Sequence, residues 1–191
     1  MKPFHRAALV LTTSLAVLAP MPAFGAIGTT HRDAVGDVVS FSEDSDSATP
    51  QPGRAEGDIR GISASHRKKV VVVSVRLREL SRRPELSATQ LRLNSNKGRR
   101  DVTVVPIPGT SRSVAEVQGP RGTVKCKVNS KVSFVNNSVR VAVPRKCLGN
   151  PRWVRVGAGI ISVEEPNYFL DDAYRNVGVG DELRLGPRLT R

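Results

Sequence analysis

Five aspartates are the residues whose type and spacing could do chemistry together. Asp33-x-x-Gly36-Asp37 lies near the start of the chain, Asp58 follows, and Asp171-Asp172 lies near the end. Clustered carboxylates repel one another unless a cation or arginine neutralises them. Ca2+ takes its oxygens from carboxylates, backbone carbonyls and water, and tolerates irregular loops. Gly36, between two aspartates, allows a backbone bend that aims oxygens at one point. The spacing is not that of an EF-hand, because D-x-D-x-D-G and its terminal glutamate are absent. Ca2+ is therefore the expected cofactor, with Asp33, Asp37, Asp58, Asp171 and Asp172 as its expected ligands. The competing expectation is a set of solvated acidic loops paired with nearby arginines.

Other chemical equipment is sparse. Outside the first 25 residues the histidines are His31 and His66. His66 stands beside Arg67-Lys68-Lys69, whose charges would lower its pKa, and is expected at a strand edge. No G-x-S-x-G, H-E-x-x-H, Cys–His pair or phosphate loop is present. Glu164-Glu165 and Asp171-Asp172 are paired carboxylates of the kind a glycoside hydrolase uses. Adjacent strand residues point to opposite faces, however, which places such pairs poorly for a shared substrate. A non-enzymatic role is expected. A hydrolase using the C-terminal carboxylates is one alternative. The other is a secreted protease inhibitor displaying Pro144-Arg145-Lys146-Cys147, with Arg145 or Lys146 as a trypsin-directed anchor.

Charge is distributed unevenly. The 191 residues carry a net +13, which becomes +11 if Lys2 and Arg6 leave with a signal peptide. Of 17 acidic residues only Glu79, Glu85, Asp101 and Glu116 lie between Asp58 and Glu164, so the ends are acidic and the middle is strongly basic. Arg67, Lys68, Lys69, Arg82, Arg83, Arg99 and Arg100 are the expected polyanion contacts, the partner being an anionic cell-wall polymer or polysaccharide. Sequence-specific nucleic acid binding is not expected: aromatic residues are only 4% of the chain, too few for a base-stacking platform. The opposing reading is a set of solvated basic faces that keep the protein soluble.

The elements that must position these residues are short strands. Residues 1–25 read as a cleaved signal peptide, with a basic start, an apolar run too short to span a bilayer, and small residues before Ala26. The remainder, 26–191, is one secreted domain expected to be a monomer, extracellular or cell-wall associated, with no transmembrane segment. Residues 42–57 are polar and expected to form a flexible loop. VVVVSVRL at 70–77 alternates with apolar residues on both sides at its start, so it should lie centrally in a sheet. Asn136-Asn137 is expected to make a two-residue hairpin turn with Phe134 opposite Val139 and Val132 opposite Val141. Val124, Cys126 and Val128 read as another strand, joined by a loop at Asn129-Ser130-Lys131. Cys126 would point inward and Cys147 return over the sheet, giving a disulfide expected in an exported chain. Leu183-Arg184-Leu185 reads as a closing strand, and Trp153 as core rather than as a sugar platform. The fold class is all-β: a single antiparallel β-sandwich, jelly-roll or immunoglobulin-like, of about nine or ten short strands with one disulfide.

Asp33-x-x-Gly36-Asp37, Asp58-Ile59, Val143-Pro144-Arg145-x-Cys147-Leu148-Gly149-x-Pro151-x-Trp153-Val154-Arg155-Val156 and Asp171-Asp172-Ala173 together resemble a group of small, uncharacterised secreted proteins of actinobacteria. The early Asp-Gly-Asp and the later Asp-Ile are also similar to the start of carbohydrate-binding β-sandwiches of the DOMON and family 9 binding-module type. That resemblance implies a structural Ca2+ near the chain ends and a sugar site elsewhere, with Trp153, Tyr168, Phe169 and Tyr174 as the aromatics on hand. The expected function is a secreted, non-catalytic binding module for an anionic or carbohydrate polymer.

Overall fold

The computed structural model describes residues 28–42, 45–81, 87–108 and 110–191. The expected signal peptide, Arg82 and Arg83 lie outside the described residues. In chain order the strands are β1 (Gly28–Arg32), β2 (Val39–Ser42), β3 (Ser45–Pro50), β4 (Ile59–His66), β5 (Val70–Leu77), β6 (Ser87–Ser95), β7 (Gly98–Pro106), β8 (Ser113–Gly119), β9 (Gly122–Thr123), β10 (Asn129–Ser133), β11 (Ser138–Pro144), β12 (Trp153–Glu164), β13 (Asn167–Asp172) and β14 (Leu189–Thr190), with a short 3-10 helix at Arg145–Leu148. Every sheet pairing between them is antiparallel. One sheet has the order β1-β4-β5-β11-β10; the other runs β3-β2-β13-β12-β6-β7-β8-β9, with β14 added on β12. Beyond the strands read from alternation, the structure adds β1, β2, β3 and β13, of four to six residues, and the two-residue β9 and β14.

The two sheets pack face to face because each strand alternates. In β5, Val71, Val73, Val75 and Leu77 point inward and are at most 3% exposed, and β5 is the central strand of its sheet. Val139, Val141 and Val143 of β11 lie beside them. Leu91, Leu93, Val102, Val104, Val154 and Val156 face them from the other sheet in one core. Full burial of such a side chain contributes about 1.5–3 kcal/mol each, so this valine-rich layer is the main stabilising element. Cys126 and Cys147 form a disulfide with Cα atoms 5.9 Å apart. Closing a loop of that length contributes about 3 kcal/mol on the chain-entropy model.

Several local expectations are corrected. Part of the polar 42–57 stretch is not loop: Ser45–Pro50 forms β3 and pairs with β2. The hairpin between β10 and β11 pairs Val132 with Val139 and Ser133 with Ser138, so its loop spans four residues and Phe134 lies in it. Asn137 takes the left-handed conformation there (φ 44°). Its side chain accepts from Leu80 N at 3.1 Å and donates to Arg78 O at 3.0 Å, so it holds a neighbouring turn as well as its own. Residues 124–128 make no ladder. Val124, Cys126 and Val128 pack against the core edge without strand pairing, and Asn129, Ser130 and Lys131 are strand residues rather than loop. The segment holding Leu183-Arg184-Leu185 is not a strand; it crosses the outside of β12, and β14 supplies the closing pair instead. That crossing explains Gly157 and Gly159, where a Cβ would lie 2.6 Å from Arg184 O and 2.6 Å from Leu183 Cδ2.

Candidate metal centre

All five aspartates meet at one end of the sandwich, where the two sheets adjoin. Asp33 follows β1 and Asp58 precedes β4, both in the five-stranded sheet. Asp37 precedes β2, and Asp171 and Asp172 end β13, in the other sheet. Gly36 makes the bend possible. Its φ is +83°, and a Cβ there would lie 2.9 Å from Pro52 O. The same bend turns the Gly36 N–H onto Asp58 Oδ2 at 2.7 Å.

The five then divide by how they are neutralised. Carboxylate oxygens of Asp33, Asp37 and Asp171 lie within 4.8 Å of one another. Asp58 Oδ2 also accepts from the Arg78 guanidinium at 3.0 Å. Asp172 accepts from Arg175 Nε at 3.1 Å, Arg184 N at 2.8 Å and Tyr174 N at 3.2 Å. Arg78 and Arg175 therefore flank the group as counter-charges, while the three central carboxylates have no arginine partner among the described residues.

Burial makes that arrangement costly. Asp33 is 8% exposed, Asp58 0%, Asp171 3% and Asp172 1%. Asp33 Oδ1 accepts from Ala34 N at 3.0 Å, but its Oδ2 is buried with no hydrogen-bond partner among the described residues. The same holds for Asp58 Oδ1 and for both carboxylate oxygens of Asp37. Asp171 accepts from Ile59 N at 2.6 Å and Asp172 N at 2.7 Å. Two like charges at 4.8 Å repel by about 3 kcal/mol at an effective dielectric near 20. The carboxyls respond accordingly. Burial, then the charges of Asp171 and Asp37, push Asp33 up to about 8. Burial pushes Asp171 up to about 7 against the opposing Ile59 N–H, with Asp37 adding to the rise. Asp37 is raised by burial and by the charges of Asp58 and Asp172.

Four buried oxygens without partners, on three carboxyls, constitute an all-oxygen donor set suited to a hard cation such as Ca2+. Asp33, Asp37 and Asp171 would hold it, with Asp58 Oδ1 beside them. Asp171 and Asp172 are the two expected ligands with both oxygens already accepting from protein donors, Asp171 from Ile59 N and Asp172 N, and Asp172 from Arg175, Arg184 N and Tyr174 N. Asp171 would therefore use the remaining lone pairs of its oxygens. Arg78 and Arg175 were not visible as parts of the site in the sequence. Arg175 follows Asp172 by three residues, but only the fold brings Arg78 onto Asp58.

The other candidate residues lie elsewhere. His66 is not at an exposed edge: it ends β4 fully buried, 3.3 Å from Leu189 O, and burial lowers its pKa. Trp153 is not core; it is half-buried under the Arg188 guanidinium, 4.4 Å from the ring centre. Arg54 covers Phe169 at 3.5 Å, and Tyr174 stacks on His31 at 4.7 Å. The protein's own side chains thus cover three of the four aromatics that could have formed a sugar platform. Arg145 sits in a helical turn, with its guanidinium on Lys68 O and Pro151 O. Glu164 pairs with Arg54. Arg67, Lys68 and Lys69 are exposed in the β4–β5 turn. Arg99, by contrast, is committed to Asp101 and Glu182, and Arg100 donates to Arg99 O. No helix among the described residues is long and apolar enough to cross a membrane. No protein-family model, curated protein or solved structure matches the chain.

Proposed function

We propose that the protein is an exported, non-catalytic binding module whose sandwich is tied together by Ca2+ and whose ligand is an anionic or carbohydrate polymer. One observation carries this reading: the chain buries its aspartates as an under-neutralised group at one end. A group of desolvated carboxylates with buried, unpartnered oxygens calls for a cation, and removing them from the surface leaves exposed arginines and lysines to dominate the exterior. Of the carboxylates an enzyme would use, Glu164 pairs with Arg54 and Asp172 with Arg175, while Glu165 is exposed. Of the inhibitor anchors, Arg145 is held on two carbonyls and Lys146 is exposed.

Thermal unfolding at pH 8 in millimolar Ca2+ and in EDTA tests it. At a hundred times its dissociation constant, Ca2+ stabilises by about 2.7 kcal/mol. That raises the midpoint by roughly 5–10 °C for a domain of this size. An unchanged midpoint removes the metal from the proposal.

A further inference from the structure

We propose that the outward face of the five-stranded sheet is the polymer site, and that it takes an anionic polysaccharide strand. This placement rests on the binding-module reading above.

The sheet register sets the face. Thr30, Ser63, Ser74, Arg140 and Lys131 form one rank across all five strands. On one side lies the rank Arg32, Gly61, Arg76, Ser138 and Ser133; on the other lies Gly28, Ser65, Val72, Ala142 and Asn129. Not one of these positions carries a carboxylate or an aromatic ring. Arg67 continues the outward series of Ser63 and Ser65 at the sheet's end, and its Nε donates to Ser65 Oγ at 3.2 Å. Arg140 likewise donates to Ser74 Oγ at 3.3 Å. The sheet's own hydroxyls thus hold two guanidinium groups, and neither has a carboxylate partner among the described residues. Between them lies an open depression of about 350 Å³ floored by Ser63, Ser65 and Ser74.

The chemistry of that surface selects its partner. Uncompensated guanidinium groups attract anions and bind carboxylates in a planar, bidentate fashion. A floor of serine and threonine hydroxyls offers both donors and acceptors, which suits sugar hydroxyls. A nucleic acid strand would want aromatic faces for its bases, and the ranks contain none.

Binding of the full-length oxidised protein to hyaluronate, a uronate-bearing polysaccharide, tests the placement, with neutral dextran and single-stranded DNA as comparators. Binding to hyaluronate that weakens with added NaCl, with none to dextran, is expected. In Arg76→Glu/Arg140→Glu the affinity should fall at least about tenfold, equivalent to about 1.4 kcal/mol, with an unchanged unfolding midpoint. Lys125→Glu/Lys127→Glu, which alters a second basic patch beside the disulfide, should stay within about twofold. Hyaluronate binding unaffected by the face variant, or lost in the lysine variant instead, overturns the placement while leaving the binding-module reading intact. Wild-type protein that binds no polyanion overturns both. Tighter binding to DNA than to hyaluronate overturns the choice of a polysaccharide.

Discussion

The molecule treats its acidic residues in two contrasting ways. On the outside of the nine-stranded sheet, Asp101 and Glu182 share Arg92 and Arg99 in an ion-pair network, with Asp101 at 3.0 Å from Arg92 and 2.7 Å from Arg99. Those carboxylates are partly solvated, so water and arginine together satisfy them. Between the sheets, Asp33, Asp37 and Asp171 have neither solvent nor an arginine of their own. The same residue type is therefore cheap in one place and costly in the other. The difference is not distance, since both groups bring charges within a few ångströms, but the sign of the neighbours and desolvation together.

Three measurements probe that contrast, beginning with the largest effect. Asp171→Ala strips the buried acceptor from Ile59 N and Asp172 N. Each stranded N–H costs about 1–3 kcal/mol, so a loss of roughly 2–6 kcal/mol is expected for the two. Denaturant unfolding in chelator at pH 5, where protonation has relieved the repulsion, reads it directly; a loss below about 1 kcal/mol would mean that Asp171 is not structural.

The second concerns pH. Asp33 and Asp171 are raised in the folded state to about 8 and about 7, against 3.8 for an ordinary aspartate. A raised carboxyl leaves the folded state holding a proton that the unfolded state has released, so stability falls as pH rises between those values. In EDTA the unfolding midpoint should therefore decline from pH 5 to pH 8. Ca2+, which binds only the deprotonated carboxylates, should offset the decline progressively towards pH 8. Asp33→Asn should flatten the decline and abolish the response to Ca2+. A midpoint in EDTA that rises across this range would remove the desolvated centre from the account.

The smallest effect belongs to the exposed network. Asp101→Asn should cost under about 1 kcal/mol, diminish further in high salt, and be indifferent to Ca2+. A larger, salt-insensitive cost would erase the contrast between the two regions.

Much of this architecture was legible in the sequence because alternation has a period of two. VVVVSVRL announced a central strand, and the Asp-x-x-Gly-Asp, Asp58 and Asp-Asp spacing picked out five residues that do converge. What alternation could not supply was pairing. Val124, Cys126 and Val128 have the pattern of a strand, yet the disulfide and the core edge hold them without a ladder. Leu183-Arg184-Leu185 has it too, and lies across glycines instead. The β10–β11 register slipped by two because Asn137, read as half of a two-residue turn, also holds the turn at 77–80. Arg78 and Arg175 were invisible as counter-charges for a similar reason: their charges were evident, but which carboxylate each would meet is a property of the closed sandwich.

The bond from Ile59 N to Asp171 joins residues 112 positions apart. A contact of that span forms only after most of the intervening sheet has been laid down, because the entropy of closing so long a loop must first be offset by other pairings. The aspartate centre is therefore expected to assemble late in folding, so that Asp171→Ala should speed unfolding and leave the folding rate nearly unchanged. Interactions absent from the folding transition state act on the rate of unfolding. On that expectation, whatever neutralises these carboxylates would set how long a folded molecule lasts rather than how quickly one is made.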